Sequence, residues 1–99
     1  MLELRINSMV AQDLKEIRDY IAEDNPAKAA ETIENIYKKM ELLRNCPNIG
    51  ALLSSRVTFK TDYKYFVWKN YVIIYKASDK YLDIYRIVNR YSDITRIFD

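Results

Sequence analysis

Residues 63–93, YKYFVWKNYVIIYKASDKYLDIYRIVNRYSD, decide the fold. Seven of the nine tyrosines fall here (Tyr63, Tyr65, Tyr71, Tyr75, Tyr81, Tyr85 and Tyr91), interleaved with Lys64, Lys69, Lys76, Lys80, Arg86 and Arg90. Aromatic and β-branched runs broken by short polar turns predict an antiparallel meander. Its strands are expected at 63–68, 71–77 and 81–89, with turns at Lys69-Asn70 and Ser78-Asp79-Lys80. Cations threaded through such a meander make a surface able to hold phosphates or an acidic partner chain.

Upstream the periodicity changes. Leu2, Leu4 and Ile6 alternate with Glu3, Arg5 and Asn7, the period of a short strand with one buried face. Ser8 can then cap a helix whose apolar stripe is Val10, Leu14, Ile17 and Ile21, with Asp13, Lys15, Glu16, Arg18 and Asp19 off the stripe. Asn25-Pro26 starts a second helix. Asparagine is a good N-cap, and proline suits the first helical position, where its missing N–H would be unpaired anyway. The inner face of this helix is Ala29, Ala30, Ile33, Ile36, Tyr37, Met40 and Leu43, and it stops near Cys46-Pro47. Two helices joined by so short a turn form an antiparallel hairpin.

Pro47-Asn48-Ile49-Gly50 is a turn holding the only glycine. Leu52 to Arg56 is ambiguous, a strand or strand start is expected at 57–60, and residues 92–98 suggest a short C-terminal helix. The order β-α-α-β-β-β defines an α+β layer: a helical hairpin packed across one face of a small antiparallel β-sheet, which the N-terminal strand joins. The uncovered face would then display the cations.

Ninety-nine residues make one domain, 1–99. Hydrophobic residues at 49% and charged ones at 30% exclude a disordered chain. The net charge of +2 is unevenly placed: residues 1–45 carry seven Lys/Arg against nine Asp/Glu, and residues 46–99 nine against five. A mildly acidic helical half beside a basic sheet half suggests an anionic partner, well short of the basic face of a dedicated DNA binder. The single cysteine, Cys46, excludes an internal disulfide and reads as an inert loop thiol. No apolar run approaches the roughly 20 residues of a membrane span. The opening MLELRINSM lacks the layout of a signal peptide, so a cytoplasmic location is expected.

There is no histidine. That excludes Ser-His-Asp and Cys-His arrangements and removes the usual general base near neutral pH. No Cys/His/Asp/Glu cluster has metal-ligand spacing and no glycine-rich loop cradles a nucleotide, so neither metal nor cofactor is expected. Phosphodiester cleavage of RNA can still be run by what remains. A lysine, tyrosine or carboxylate takes the 2′-OH proton, and arginines stabilise the dianionic transition state. Arg86, Arg90, Tyr91 and Lys64 are the candidates.

Arg86 shares parity with Leu82, Ile84 and Val88, so it must be paired or aimed at a ligand. Asp83, of opposite parity, is not its expected partner. Tyr71, Tyr75 and Tyr81 read as half-buried packing residues with wet hydroxyls, and Lys69, Lys76 and Lys80 as solvated guards of strand ends. Trp68 is core packing against the hairpin or else a stacking platform for a base.

Three segments carry a resemblance: DLKEIRDYIAEDNPAKAAETI at 13–33, MELLRNCPNIG at 40–50 and NYVIIYKASDKYLDIYRIVNRYSD at 70–93. Together they resemble the RelE/ParE superfamily of bacterial type II toxin–antitoxin toxins over nearly the whole chain. The resemblance implies a compact toxin, associated with growth inhibition and plasmid stabilization, held inactive by a cognate antitoxin wrapped around it. It also implies that Arg86 is the family's strand arginine. The mRNA-cleaving branch has an arginine at the strand start, where this chain has Val72 after Asn70-Tyr71. Asn89 stands where a histidine is frequent and Ser92 where a basic residue is usual, with Arg90 and Tyr91 as partial substitutes.

The long second helix resembles the ParE branch, which acts on DNA gyrase. Three functions follow as expectations: a ParE-like toxin blocking gyrase, a ribosome-dependent mRNA endoribonuclease, or an inactive member that only binds antitoxin.

Overall fold

The computed structural model describes residues 1–92 and 94. Strand β1 (Glu3–Ile6) leads into α1 (Ser8–Ala22) and α2 (Pro26–Asn45), then a 3-10 turn at Pro47–Ile49. The short β2 (Ala51–Leu52) and a second 3-10 turn (Leu53–Ser55) precede β3 (Lys64–Trp68), β4 (Tyr71–Ala77) and β5 (Tyr81–Asn89). The expected order β-α-α-β-β-β is present, with β2 added ahead of the last three strands. The terminal helix expected at 92–98 lies outside the described residues apart from Ser92 and Ile94. Among the described residues no helix is long and apolar enough to cross a membrane.

The five strands lie in the order β1-β5-β4-β3-β2. All neighbours pair antiparallel except β1, which runs parallel to β5 from Glu3↔Tyr81 to Ile6↔Ile84. The sheet is therefore mixed, because the helical hairpin carries the chain back across it before the meander begins. Strand β4 sits at the centre and is buried at Val72, Ile73, Ile74 and Tyr75, which explains its continuous apolar run.

Val10, Leu14, Ile36, Met40 and Leu43 from the helices meet Ile73, Tyr75, Leu82, Ile84 and Ile87 on one face. The reverse face is only partly open. Leu53 is wholly buried there against Val72 and Ile74, with Val57, Tyr63, Tyr65, Tyr85 and Val88 packed around it. The strand expected at 57–60 is absent; this stretch is irregular chain that packs on the sheet at Val57. Its β-branched Val57 serves packing rather than strand pairing.

Local signals explain the helix ends. Asn7, not Ser8, caps α1: its side chain accepts from the Met9 N–H at 2.9 Å, one of the orphan donors of the first turn. Asn25 caps α2 through the Lys28 N–H at 3.0 Å, with Pro26 in the first turn. Within α2 the buried positions are Ala29, Thr32, Ile36, Met40 and Leu43. Ala30 and Tyr37 are exposed, so the inner face is narrower than the spacing suggested.

Tyr75 overturns the expectation of a wet hydroxyl. Its ring is fully buried, its hydroxyl donates to the Pro47 carbonyl at 2.7 Å, and it accepts from the Gly50 N–H at 3.0 Å. A Cβ at Gly50 would meet the Tyr75 hydroxyl and lie 2.8 Å from the Tyr65 carbonyl oxygen. The only glycine thus marks a close approach between the turn after α2 and the centre of the sheet.

Candidate functional site

The geometry of the site begins with a break in strand pairing. In the β4–β5 ladder Ile74 faces Arg86 while Tyr75 faces Ile84, which leaves Tyr85 as an extra, bulged residue. Up to the bulge Leu82 and Ile84 face the helices; past it Ile87 does, and Val88 packs on the reverse face. The alternation that put Arg86 in line with Leu82 and Ile84 is therefore broken at Tyr85, and Arg86 keeps only the parity of Val88.

Because β1 ends opposite Ile84, no strand among the described residues pairs with the outer edge of β5 from there on. Asp13 of α1 occupies the start of that edge. Its Oδ2 accepts from the Ile87 N–H at 3.0 Å and from Arg86 Nε at 2.8 Å, and its Oδ1 accepts from Arg86 Nη2 at 2.8 Å. Arg86 is thus paired, as an arginine near the apolar face has to be, and its partner is a helix carboxylate 6% exposed. Asp83 pairs elsewhere, with Arg5, at 2.6 Å. The hydrogen bonds to Asp13 raise the Arg86 pKa above its ordinary value, against a smaller lowering by burial.

The pair forms the floor of an open cleft of about 890 Å³ between α1 and the ends of β4 and β5. Asp13, Glu16, Ile17 and Tyr20 line it from α1, at the spacing of one helix face. Tyr71 and Asn89 line it from the sheet, and Tyr91 closes the far lip. Tyr20 and Tyr91 are 77% and 80% exposed. Burial raises the Tyr71 pKa, with a smaller contribution from Tyr20 nearby.

Of the four candidate residues, the structure brings Arg86 and Tyr91 into this cleft. Arg90 sits beside its lip, with Nη1 donating to the Lys69 carbonyl at 3.2 Å and its guanidinium 5.7 Å from the Tyr91 ring centre. Lys64 lies apart: it is on β3 opposite Tyr75, with β4 between it and β5. Trp68 packs against the helix-side core and its ring centre is 6.5 Å from that of Tyr71. Among the described residues no group of three potential ligands could hold a metal ion.

Sequence reasoning missed Asp13, Glu16 and Tyr20. A signal for Asp13 was present: it is three residues after Val10 and four before Ile17, so it falls on the stripe it was assigned away from. A carboxylate there needs a cation, and Arg86, which itself needs an anion, is that cation.

The ParE toxin family of type II toxin–antitoxin systems, parDE, has a family model that matches residues 4–94. The fold is similar to that of the solved chromosomal ParDE toxin–antitoxin system from P. aeruginosa, at TM-score 0.73 and 24% identity over 90% of this chain and 96% of that one. It is also similar to YafQ from E. coli strain BL21(DE3), at TM-score 0.53 and 16% identity over 100% of both chains. A YafQ point mutant from E. coli gives TM-score 0.53 at 14% identity over the same coverage. No curated protein matches the chain. The structural likenesses establish the fold, and the family match across residues 4–94 goes further: the chain belongs to the ParE toxin family of type II toxin–antitoxin systems.

Proposed function

We propose that this toxin arrests growth by binding DNA gyrase without cleaving a bond, and that a cognate antitoxin neutralises it. The supporting observation is the Arg86–Asp13 pair, with bidentate contacts of 2.8 Å. A phosphodiester-cleaving site needs its arginine free to meet the developing charge. Here that guanidinium is held by a buried carboxylate, and breaking such a pair costs about 3–5 kcal/mol. Lys64, on the far side of β4, adds no charge to the cleft. Recognition by contact asks less of these residues: exposed aromatics, satisfied charges and a rigid frame. This reading puts the protein in the cytoplasm with its target.

One observation favours a second reading, a ribosome-dependent mRNA endoribonuclease using Arg86, Arg90, Tyr91 and Lys64: Arg86 and Tyr91 line one cleft. The purified chain, added to a gyrase supercoiling reaction and to ribosomes programmed with message, tests both. Inhibited supercoiling with intact message is expected. Cut message with unchanged supercoiling would reverse the order of the two readings, and neither effect would leave a member that only binds antitoxin.

A further inference from the structure

Past Ile84 the edge of β5 has no neighbouring strand among the described residues, yet its polar groups are directed. The Arg90 N–H donates to the Asn70 carbonyl at 2.8 Å, so Arg86, Val88 and Arg90 turn their backbone groups toward β4. Alternation then turns those of Ile87 and Asn89 outward, as the Ile87 N–H to Asp13 bond shows. Asp13 takes the Ile87 N–H and Ser92 N–H takes the Asn89 carbonyl at 3.0 Å. Among the described residues, alternation leaves the Ile87 carbonyl and the Asn89 N–H facing the cleft. An acceptor and a donor so spaced match one residue of an added parallel strand, the sense in which β1 already pairs with β5.

The side walls have a definite chemistry. Among the described residues, Asp13, Glu16 and Arg86 are the charges that line the cleft, and Asp13 and Arg86 cancel in their pair. Glu16 leaves the described lining acidic. Its only hydrogen bond among the described residues comes from Gln12 Nε2, at 3.0 Å. Arg90, outside the lip, is held toward the Lys69 carbonyl. Tyr20 and Tyr91 offer exposed rings, and a carboxylate that shares a cleft with aromatic rings suits a cationic side chain.

We infer that the cleft captures an extended segment of a protein partner. One of its backbone residues pairs with β5 at Ile87 and Asn89, and a neighbouring lysine or arginine side chain is held by Glu16 in the cleft it shares with Tyr20 and Tyr91. The inference rests on the proposal that the target is engaged by protein contact, and it deepens that proposal by naming the surface and the chemistry of what binds it.

Nuclear magnetic resonance of the full chain with a capped tetrapeptide of alternating valine and arginine tests it. The Asn89 amide and the Tyr20 and Tyr91 ring signals are expected to shift, and Glu16→Gln to weaken binding about tenfold. The inference is overturned if the same peptide with glutamate for arginine shifts these signals equally, if only an oligothymidylate shifts them, or if the shifts lie elsewhere. Glu16→Gln and Tyr20→Ala, both at exposed positions, then enter the supercoiling assay, where weaker inhibition is expected. Inhibition at wild-type concentrations contradicts the docking surface and leaves gyrase as the target. Peptide capture by a wild-type protein that does not inhibit gyrase supports the surface and removes gyrase.

Discussion

Asp13 does three jobs with two oxygens: it neutralises Arg86, satisfies the Ile87 N–H and ties α1 to the edge of β5. Asp13→Ala should lower stability by about 3–5 kcal/mol, since it strands a partly buried guanidinium and a backbone donor. Arg86→Ala should cost a comparable amount. The double variant should cost less than the sum of the two by about 0.5–3 kcal/mol, as measured by urea unfolding. Additive losses would mean that the two residues act independently.

Tyr75 carries a pH prediction at the same scale. Burial raises its pKa, only partly offset by the hydrogen bond from Gly50. A group whose pKa is higher folded than unfolded stabilises the fold below the unfolded value, about 10 for tyrosine, and that contribution is lost as pH rises through the folded value. Unfolding midpoints should therefore decline as pH rises above about 10, and those of Tyr75→Phe should decline less steeply. The same substitution should cost about 1–3 kcal/mol at neutral pH, because it strands the Pro47 carbonyl and weakens the Gly50 contact. An identical alkaline slope in the two proteins would assign the loss to other tyrosines.

At the scale of elements, the meander was legible because β4 and β5 begin and end where the aromatic runs do. The helices were legible from Asn25-Pro26 and from the stripe through Val10, Leu14 and Ile17. Pairing partners were not. That β1 joins β5 in parallel depends on where the hairpin returns the chain, which no local spacing records. The bulge at Tyr85 escaped for a similar reason: strand parity assumes an unbroken ladder, and one extra residue moves every later side chain to the other face. Val57 reads as the start of a strand because packing over a sheet selects the same residue types as pairing within one.

Gly50 has an extended backbone, so its necessity is a matter of space. Gly50→Ala should push the turn after α2 away from Tyr75 and cost about 1–3 kcal/mol, lowering the melting temperature by roughly 4–8 °C per kcal/mol for a domain of this size. An unchanged melting temperature would mean that the turn gives way freely.

For the whole molecule, the expected picture of an open cationic face beneath a helical roof holds only in part. Leu53 and the chain after it cover much of the reverse face, while Arg86 has turned to the edge and is neutralised there. What distinguishes the surface is the cleft where α1 and β5 diverge, edged by Tyr20 and Tyr91. Two of the four candidate residues reach it, and the helix residues that complete it could be found only by pairing Asp13 with Arg86 across 73 positions of sequence. Such a cleft suits holding a protein better than cutting a phosphodiester. Induction of the chain in growing cells, with DNA and protein synthesis followed by pulse labelling, tests this most directly. The account predicts that DNA synthesis stops first and a DNA-damage response follows; an earlier stop in protein synthesis, with message cleaved on ribosomes, would contradict it.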